Sequence, residues 1–269
     1  MATPRHYLMC PPTYFEVRYS INPWMDPDRP VDRDRAMAQW RWLVDSFLDR
    51  GHKVDLIDPV PGLPDMVFAA NAATMVDGRV LVARFRNRER APETPAYLEW
   101  FRTHGYGTAR VATMVNEGEG DHRVTRDRIL AGRGFRTEPR AHAEASRYLG
   151  RPVVGLELVD PRFYHLDTAL AVLDEETGEI MYYPGAFSAA SQALLAELYP
   201  DAIVASEAEA AGFGLNAVSD GRNVLLPAVA AGLAARLRER GFHPVGLDLS
   251  ELLKAGGGIK CCVLEIREA

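Results

Sequence analysis

The chain has 269 residues, of which 47% are hydrophobic and 25% charged, with a formal net charge of −6. It is long enough to bury a sizeable core, and its acidic balance, with no lysine-arginine block, argues against nucleic acid as the main partner. The start, MATPRHYLMCPP, has no apolar signal core, and no run approaches the ~18 apolar residues of a membrane span, so a soluble cytoplasmic protein without a membrane partner is expected.

In chain order, RHYLMCPP (5–12) reads as a strand, followed by a helix around 32–50 and a strand in HKVDLID (52–58). DMVFAANAATMVDGRVLVARF (65–85) is two apolar, partly alternating runs around Asp77-Gly78, a strong hairpin signal. A helix in APETPAYLEWFRTHG (91–105) and a strand in GTARVAT (107–113) follow. The same order recurs three times. DHRVTRDRILAGRGF (121–135) leads to a helix over 139–149 and the strand PVVGLEL (152–158). LDTALAVLDEETGEIMYYPGAF (166–187) leads to a helix over 189–198 and the strand AIVAS (202–206). LNAVSDGRNVLLPAV (215–229) leads to the helix in AAGLAARLRERG (230–241) and the strand HPVGLDL (243–249).

The first unit lacks one hairpin strand, and the last segment, KCCVLEIRE (260–268), is a strand without a following helix. Pairing the two ends completes a fifth unit and closes a ring, which predicts a radial α/β structure of ββαβ units; an open α/β sheet is the alternative. No linker separates domains, so residues 1–269 are expected to form one catalytic domain in which distant residues converge on one axis.

The residues able to do chemistry are dispersed. Cys10, Cys261 and Cys262 are odd in number, and the adjacent pair is poorly placed to bridge, which argues against a disulfide framework. No CxxC pair and no HExxH-like spacing occurs, so no metal is expected. In AGGGIKCCVLEI (255–266) three glycines permit close backbone approach ahead of Cys261, a nucleophile if a neighbour stabilises its thiolate and a buried small hydrophobe if none does. FYHLDT (163–168) places His165 and Asp167 two apart, on one face if this is a strand start. NEGEGD (116–121) offers Glu117 to orient a histidine and Asp121 to cap or bind, or is a solvated turn. Asp65 and Asn71 would share a face if PDMVFAANAA (64–73) is a strand. Arg90 and Arg136 each follow the second strand of a hairpin and are either surface residues or a clamp for a substrate carboxylate. A thiol, an imidazole, carboxylates and two arginines suit an amino acid bearing a guanidinium, whose electron-poor carbon a thiolate attacks.

Taken in order, CPPTYFEVRYSINPWM, PDMVFAANA, RNRER, EGEGD, GFRTE, FYHLDT and GGGIKC resemble the guanidino-group modifying enzymes: arginine deiminases, dimethylarginine dimethylaminohydrolases, arginine dihydrolases and amidinotransferases. The resemblance implies the five-bladed α/β propeller (pentein) fold. It implies Cys261 as nucleophile, His165 as acid and base, Glu117 as its partner, Arg90 and Arg136 as carboxylate binders, and Asp65 and Asp167 as partners of the substrate's charged groups. Cys262 then faces away, and Asn22 in INPWM matches a loop near the substrate. No metal or organic cofactor is implied; the partner is a small molecule, arginine or methylated arginine, and a homo-oligomer is compatible. Two positions favour the arginine dihydrolase branch: Asn71, where an aspartate is general in deiminases and dimethylarginine hydrolases, and Asp167, which the latter usually lack. Dimethylarginine hydrolysis is the runner-up, followed by arginine deiminase and amidinotransferase. A non-catalytic binding protein of the same fold is disfavoured by the complete thiol, imidazole and carboxylate set.

Overall fold

A computed structural model describes residues 2–268. Strand β1 (His6–Met9) is followed by helix α1 (Arg33–Leu48) and β2 (Lys53–Leu56). The Asp32 carboxylate caps α1 by accepting from the Arg35 N–H at 2.9 Å, and Ala36, Trp40, Leu43 and Phe47, at spacings of four, three and four, form its buried face. The second unit contains β3 (Ala73–Val76), β4 (Arg79–Val82), α2 (Glu93–Thr103) and β5 (Arg110–Val111). The third starts with the one-turn helix α3 (Gly118–Asp121) and continues through β6 (His122–Val124), β7 (Ile129–Arg133), α4 (Pro139–Leu149) and β8 (Val153–Glu157). The fourth is β9 (Leu170–Asp174), β10 (Glu179–Tyr182), α5 (Ala189–Leu198) and β11 (Ile203–Val204). A short α6 (Glu207–Ala211) precedes the fifth, β12 (Val218–Ser219), β13 (Asn223–Pro227), α7 (Ala231–Glu239) and β14 (His243–Leu247); α8 (Ser250–Leu253) and β15 (Leu264–Glu265) end the chain.

These strands make five separate three-stranded sheets. In each, two strands pair antiparallel and a helix returns the chain to a parallel third strand. The first unit is completed by the chain's end: β15 pairs antiparallel with β1, with Tyr7 opposite Glu265 and Leu8 opposite Leu264. The inner strands of successive sheets adjoin, β15 beside β3, β6 beside β9 and β9 beside β12, so the sheets stand radially around a common axis. Apolar clusters fill the wedges between sheets and helices, for example Tyr97, Phe101 and Met75 in the second unit. The expected five-unit propeller is therefore the fold, with Asp77 (φ 48°) and Gly78 (φ 73°) making the hairpin turn that the sequence signalled.

Three expected strands, β3, β9 and β15, form, but their starts are instead tight turns, all at the axis. Residues 64–72 form two consecutive 3-10 turns, Pro64–Val67 and Ala69–Ala72, so Asp65 and Asn71 are not partners on one strand face. Pro64 opens the first turn, the following VFAANAA has no β-branched residue after Val67, and the Ala70 N–H is taken by the Cys261 carbonyl at 3.0 Å rather than by a ladder. His165 caps a 3-10 turn, Leu166–Thr168, held by the Thr168 hydroxyl donating to the His165 carbonyl at 2.7 Å; β9 begins only at Leu170. Cys261 and Cys262 also sit on a turn ahead of β15, closed by the Val263 N–H on the Lys260 carbonyl at 3.0 Å. The glycine run before them is buried and close-packed rather than flexible: a Cβ on Gly257 would lie 2.1 Å from the Phe68 ring.

Gly118 sets the tightest point of this arrangement. Its φ is +54°, and a Cβ there would lie 2.6 Å from the Ala73 carbonyl oxygen and 2.7 Å from both the Ala70 oxygen and the Ala73 nitrogen. Because all three obstacles are backbone, Gly118→Ala is expected to cost about 3 kcal/mol or more of folding stability, measured by denaturant unfolding.

Candidate active site

The axis gathers side chains from several units around a narrow cleft bounded by Asn22, Asp65, Asn71, Arg90, Arg136 and Cys261. Cys261 Sγ is 3.3 Å from the Asp167 carboxylate and receives a hydrogen bond from Asn216 Nδ2 at 3.1 Å. Asn216 fixes this turn further: its Oδ1 accepts from the backbone N–H of Lys260 at 2.9 Å and of Cys261 at 3.3 Å, and its Nδ2 also donates to the Asp167 carbonyl at 3.1 Å. Burial pushes the Cys261 thiol well above its ordinary range, and the neighbouring Asp167 carboxylate adds to the effect. In the free protein Cys261 is therefore a protonated thiol that donates to Asp167.

Glu117 is fully buried, yet ionised. Burial alone would raise its pKa, but the Arg136 guanidinium at 2.8 Å and the His165 ring nitrogen at 2.7 Å, both on Oε2, outweigh that and hold it well below the usual carboxylate range. His165 thus has Nε2 tied to Glu117, while Asp121 braces the His165 turn by accepting from the Leu166 N–H at 3.1 Å and the Thr137 hydroxyl at 2.6 Å. Burial pushes the Asp121 carboxyl up to about 6. Glu117 also accepts the Arg86 N–H at 3.2 Å through Oε1, so the imidazole partner cannot swing away.

Arg90 and Arg136 occupy equivalent places, each three residues before the first residue of its unit's helix. Both are buried and already engaged by protein. Arg90 makes a forked pair with Glu93, 2.8 Å on each arm, and donates through Nη1 to Asn71 Oδ1 at 2.6 Å and through Nη2 to the Asp65 carbonyl at 3.1 Å. Arg136 bonds Glu117 and the Ile21 carbonyl, the latter at 2.9 Å, with its guanidinium 4.7 Å from the Tyr164 ring centre. Neither is a surface arginine, and Arg136 also serves to keep Glu117 charged. Asn22 bridges two loops, donating to the Ala255 carbonyl at 3.0 Å and accepting from the Trp24 N–H at 2.9 Å.

Three buried polar atoms of the site have no partner among the described residues: Asp65 Oδ1, Asp167 Oδ1 and Asn71 Nδ2. Since a buried unpaired polar atom costs ~1–3 kcal/mol, these mark where a ligand's complementary groups belong: two carboxylate acceptors and one amide donor. Arg90, itself a donor, fixes which end of the Asn71 amide is oxygen, and so leaves Nδ2 as the free atom. Nδ2 points at Gly120, whose added Cβ would lie 2.3 Å from it and 3.3 Å from the His165 ring, so the free donor stands beside the imidazole.

The sequence reading found the thiol, imidazole and carboxylates but missed Asn216, Glu93 and Tyr19, whose hydroxyl donates to Asp65 Oδ2 at 2.8 Å. For Asn216 a signal existed: it stands two residues before β12, as Asn71 stands two before β3.

Two acceptors facing a thiol and an imidazole, in a cleft on the axis of five ββαβ units, define a hydrolase acting on the C–N bonds of guanidino groups. Comparison with known proteins agrees. Residues 17–268 match the model of the family described as N,N dimethylarginine dimethylhydrolase, eukaryotic, and the chain belongs to that family. It is 58% identical over 262 residues to N(G),N(G)-dimethylarginine dimethylaminohydrolase of Mycobacterium tuberculosis, covering 97% of this chain and 86% of that protein. It is 38% identical to the bifunctional arginine dihydrolase/ornithine cyclodeaminase AgrE of Nostoc, matching 97% of this chain but spanning only 38% of AgrE. Among solved structures, the N-terminal domain of the cyanobacterial arginine dihydrolase ArgZ, in a mutant form bound to substrate, superposes with a TM-score of 0.91 at 36% identity over 98% of both chains.

The electrostatics of the thiol give a first test. Alkylation of the free protein at Cys261 by iodoacetamide should rise only at a pH above the ordinary thiol range, because burial and Asp167 both favour the neutral thiol. Asp167→Asn removes a negative charge and a thiol acceptor, so its alkylation profile should shift to lower pH; an unchanged or upward-shifted profile contradicts the assignment.

Proposed function

We propose that the protein is an arginine dihydrolase, converting arginine to ornithine, carbon dioxide and two ammonia with Cys261 as nucleophile, His165 as acid and base, and Glu117 as the imidazole's partner. Asp65 and Asp167, each with a free oxygen, hold the guanidinium; its positive charge beside Asp167 offsets the carboxylate that disfavours the thiolate, so bound substrate promotes the nucleophile. Arg90 and Arg136 direct their remaining donors to the substrate carboxylate, and Asn22 shapes the loop over it.

Cys261 passes its proton to His165 and its sulfur attacks the guanidinium carbon. His165 protonates one departing nitrogen, releasing ammonia and leaving an S-alkylthiouronium. His165 then takes a proton from water, whose oxygen adds to the same carbon; the C–S bond breaks and a ureido group forms. A second attack by Cys261 on the ureido carbon expels the second ammonia and gives a thiocarbamate. Water cleaves that to a carbamic acid, which breaks down to ornithine and carbon dioxide. Two waters are consumed in all.

The observation that carries this reading is the free Nδ2 of Asn71 beside His165. A guanidinium offers only N–H donors and cannot satisfy it, whereas the oxygen of a ureido intermediate can. The site is thus built to retain the first product for another round. The two unpaired carboxylate oxygens support an unmethylated substrate, since two N-methyl groups remove the hydrogens they would accept. The second reading, hydrolysis of dimethylarginine to citrulline and dimethylamine, is favoured by the 58% identical relative named for that activity.

Mass spectrometry of the products separates the two. Arginine should give ornithine without accumulating citrulline, and Asn71→Asp should stop at citrulline; release of dimethylamine from dimethylarginine with arginine left intact would establish the second reading. Cys261→Ser should lower turnover at least ~10³-fold and Glu117→Gln about 10²–10⁴-fold, with the protein still folded. Full turnover by Cys261→Ser would remove the covalent mechanism altogether.

A further inference from the structure

Adjacent residues of the last turn line different cavities: Cys261 faces the cleft, whereas Lys260 lines a second, small space with Tyr7, Arg123, Glu175, Glu265 and Arg267. This second space lies against the β1–β15 closure, behind the Lys260–Glu119 ion pair of 2.7 Å. Its walls carry a buried network in which each carboxylate is already matched. Glu119 is bound by Lys260 and Arg267; Glu175 by Arg267 at 2.9 Å and Arg5 at 3.1 Å; Glu265 by Arg267 at 2.7 Å and Arg5 at 3.1 Å.

Arg123, on β6, is the remaining cation. It is only 8% exposed, yet among the described residues its side chain makes no hydrogen bond or ion pair, and its Nε is fully enclosed without a partner. The Tyr7 hydroxyl in the same wall, 1% exposed, is also unpartnered among those residues. Arg5, Lys260 and Arg267 thus pair with Glu119, Glu175 and Glu265, and Arg123 is the one cation lining this space that has no ion pair among the described residues. Asp167 is also within electrostatic reach of Arg123, but its Oδ2 accepts from the Cys261 thiol. Burial weakens the hold of Arg123 on its proton by more than the Glu119 and Asp167 carboxylates strengthen it.

We propose that this cavity is a binding site for one small monovalent anion, a halide or a planar oxyanion such as nitrate or bicarbonate, held by the Arg123 guanidinium and the Tyr7 hydroxyl. One guanidinium without an ion pair calls for a monoanion, and the Glu175 and Glu265 carboxylates in the same wall repel a more highly charged ion such as phosphate. Two wall donors and a cavity of this size exclude an extended ligand. The bound ion completes the network that anchors β15 to β1, and through Lys260 it buttresses the turn carrying Cys261. The proposal is independent of which guanidino substrate the cleft accepts.

Sodium bromide is the probe. Crystals of the full chain grown in bromide should show an anomalous peak in this cavity at hydrogen-bond distance from Arg123 and Tyr7. In solution, thermal unfolding at constant ionic strength should show a saturable rise in Tm of about 2–3 °C when bromide replaces gluconate. That rise should disappear in Arg123→Met and shrink in Tyr7→Phe. A cavity holding only water in the bromide crystals, or a bromide response undiminished in Arg123→Met, overturns the proposal; if that variant does not fold, the crystallographic result decides.

Discussion

Taking an ionised group out of water costs several kcal/mol unless a partner meets it, and the axis of this ring buries Asp65, Glu117, Glu119, Asp121, Asp167, Arg90, Arg136 and Lys260 together. Most of the local architecture follows from that constraint. Glu117 is kept charged by Arg136, which is in turn located by the Ile21 carbonyl and the Tyr164 face; Arg90 is kept charged by Glu93. The Arg90–Glu93 pair is local, three residues apart, whereas the Arg136 guanidinium, bonded to Glu117, also reaches the Ile21 carbonyl and so ties two units together. What stays unmatched is therefore informative: two carboxylate oxygens and one amide donor in the cleft, and one guanidinium behind it.

The closure of the ring is the second requirement. β15 supplies the missing strand of the first unit, and the turn before it delivers Cys261 to the axis, so completing the fold and installing the thiol are one event. The glycine run permits this by bringing backbone against Phe68, Asn22 and Asn216 with no room for a Cβ. Glycine here provides close approach rather than freedom of movement.

The sequence made the periphery legible because hairpins and amphipathic helices write themselves in local pattern. Asp77-Gly78 announces its turn, and the termini, each short of one strand, imply closure. At the axis the same logic fails: residues 64–72, 165–168 and 260–263 look like apolar strand ends but fold as turns, because their backbone groups bond within the turn, or, as for the Ala70 N–H on the Cys261 carbonyl, to another unit, rather than to a ladder. His165, Glu117 and Cys261 were recognisable by chemical type. Their helpers were not: Glu93 reads as an ordinary first-turn carboxylate of α2, and Tyr19 and Asn216 acquire roles only when distant segments meet. Asn216 was the exception within reach, since the repeat places it where Asn71 stands.

In the proposed reaction, position 71 sets how far the chemistry proceeds. An aspartate there would add a third carboxylate to the two with free oxygens, bind a guanidinium more tightly, and repel the oxygen of a ureido group, so the first product would leave. Asparagine keeps the same shape but reverses the polarity of one atom, and Arg90, by claiming Oδ1, leaves Nδ2 as the unpaired one. The amide thus has little to offer the charged substrate and a hydrogen bond to offer the neutral product. Gly120 preserves the space for that donor, since any side chain there would press the amide against the His165 ring. A glycine within α3, an arginine from the neighbouring loop and one asparagine therefore leave a single unpaired donor beside the His165 ring, and in the proposed reaction the balance between releasing and reprocessing a ureido group rests on it.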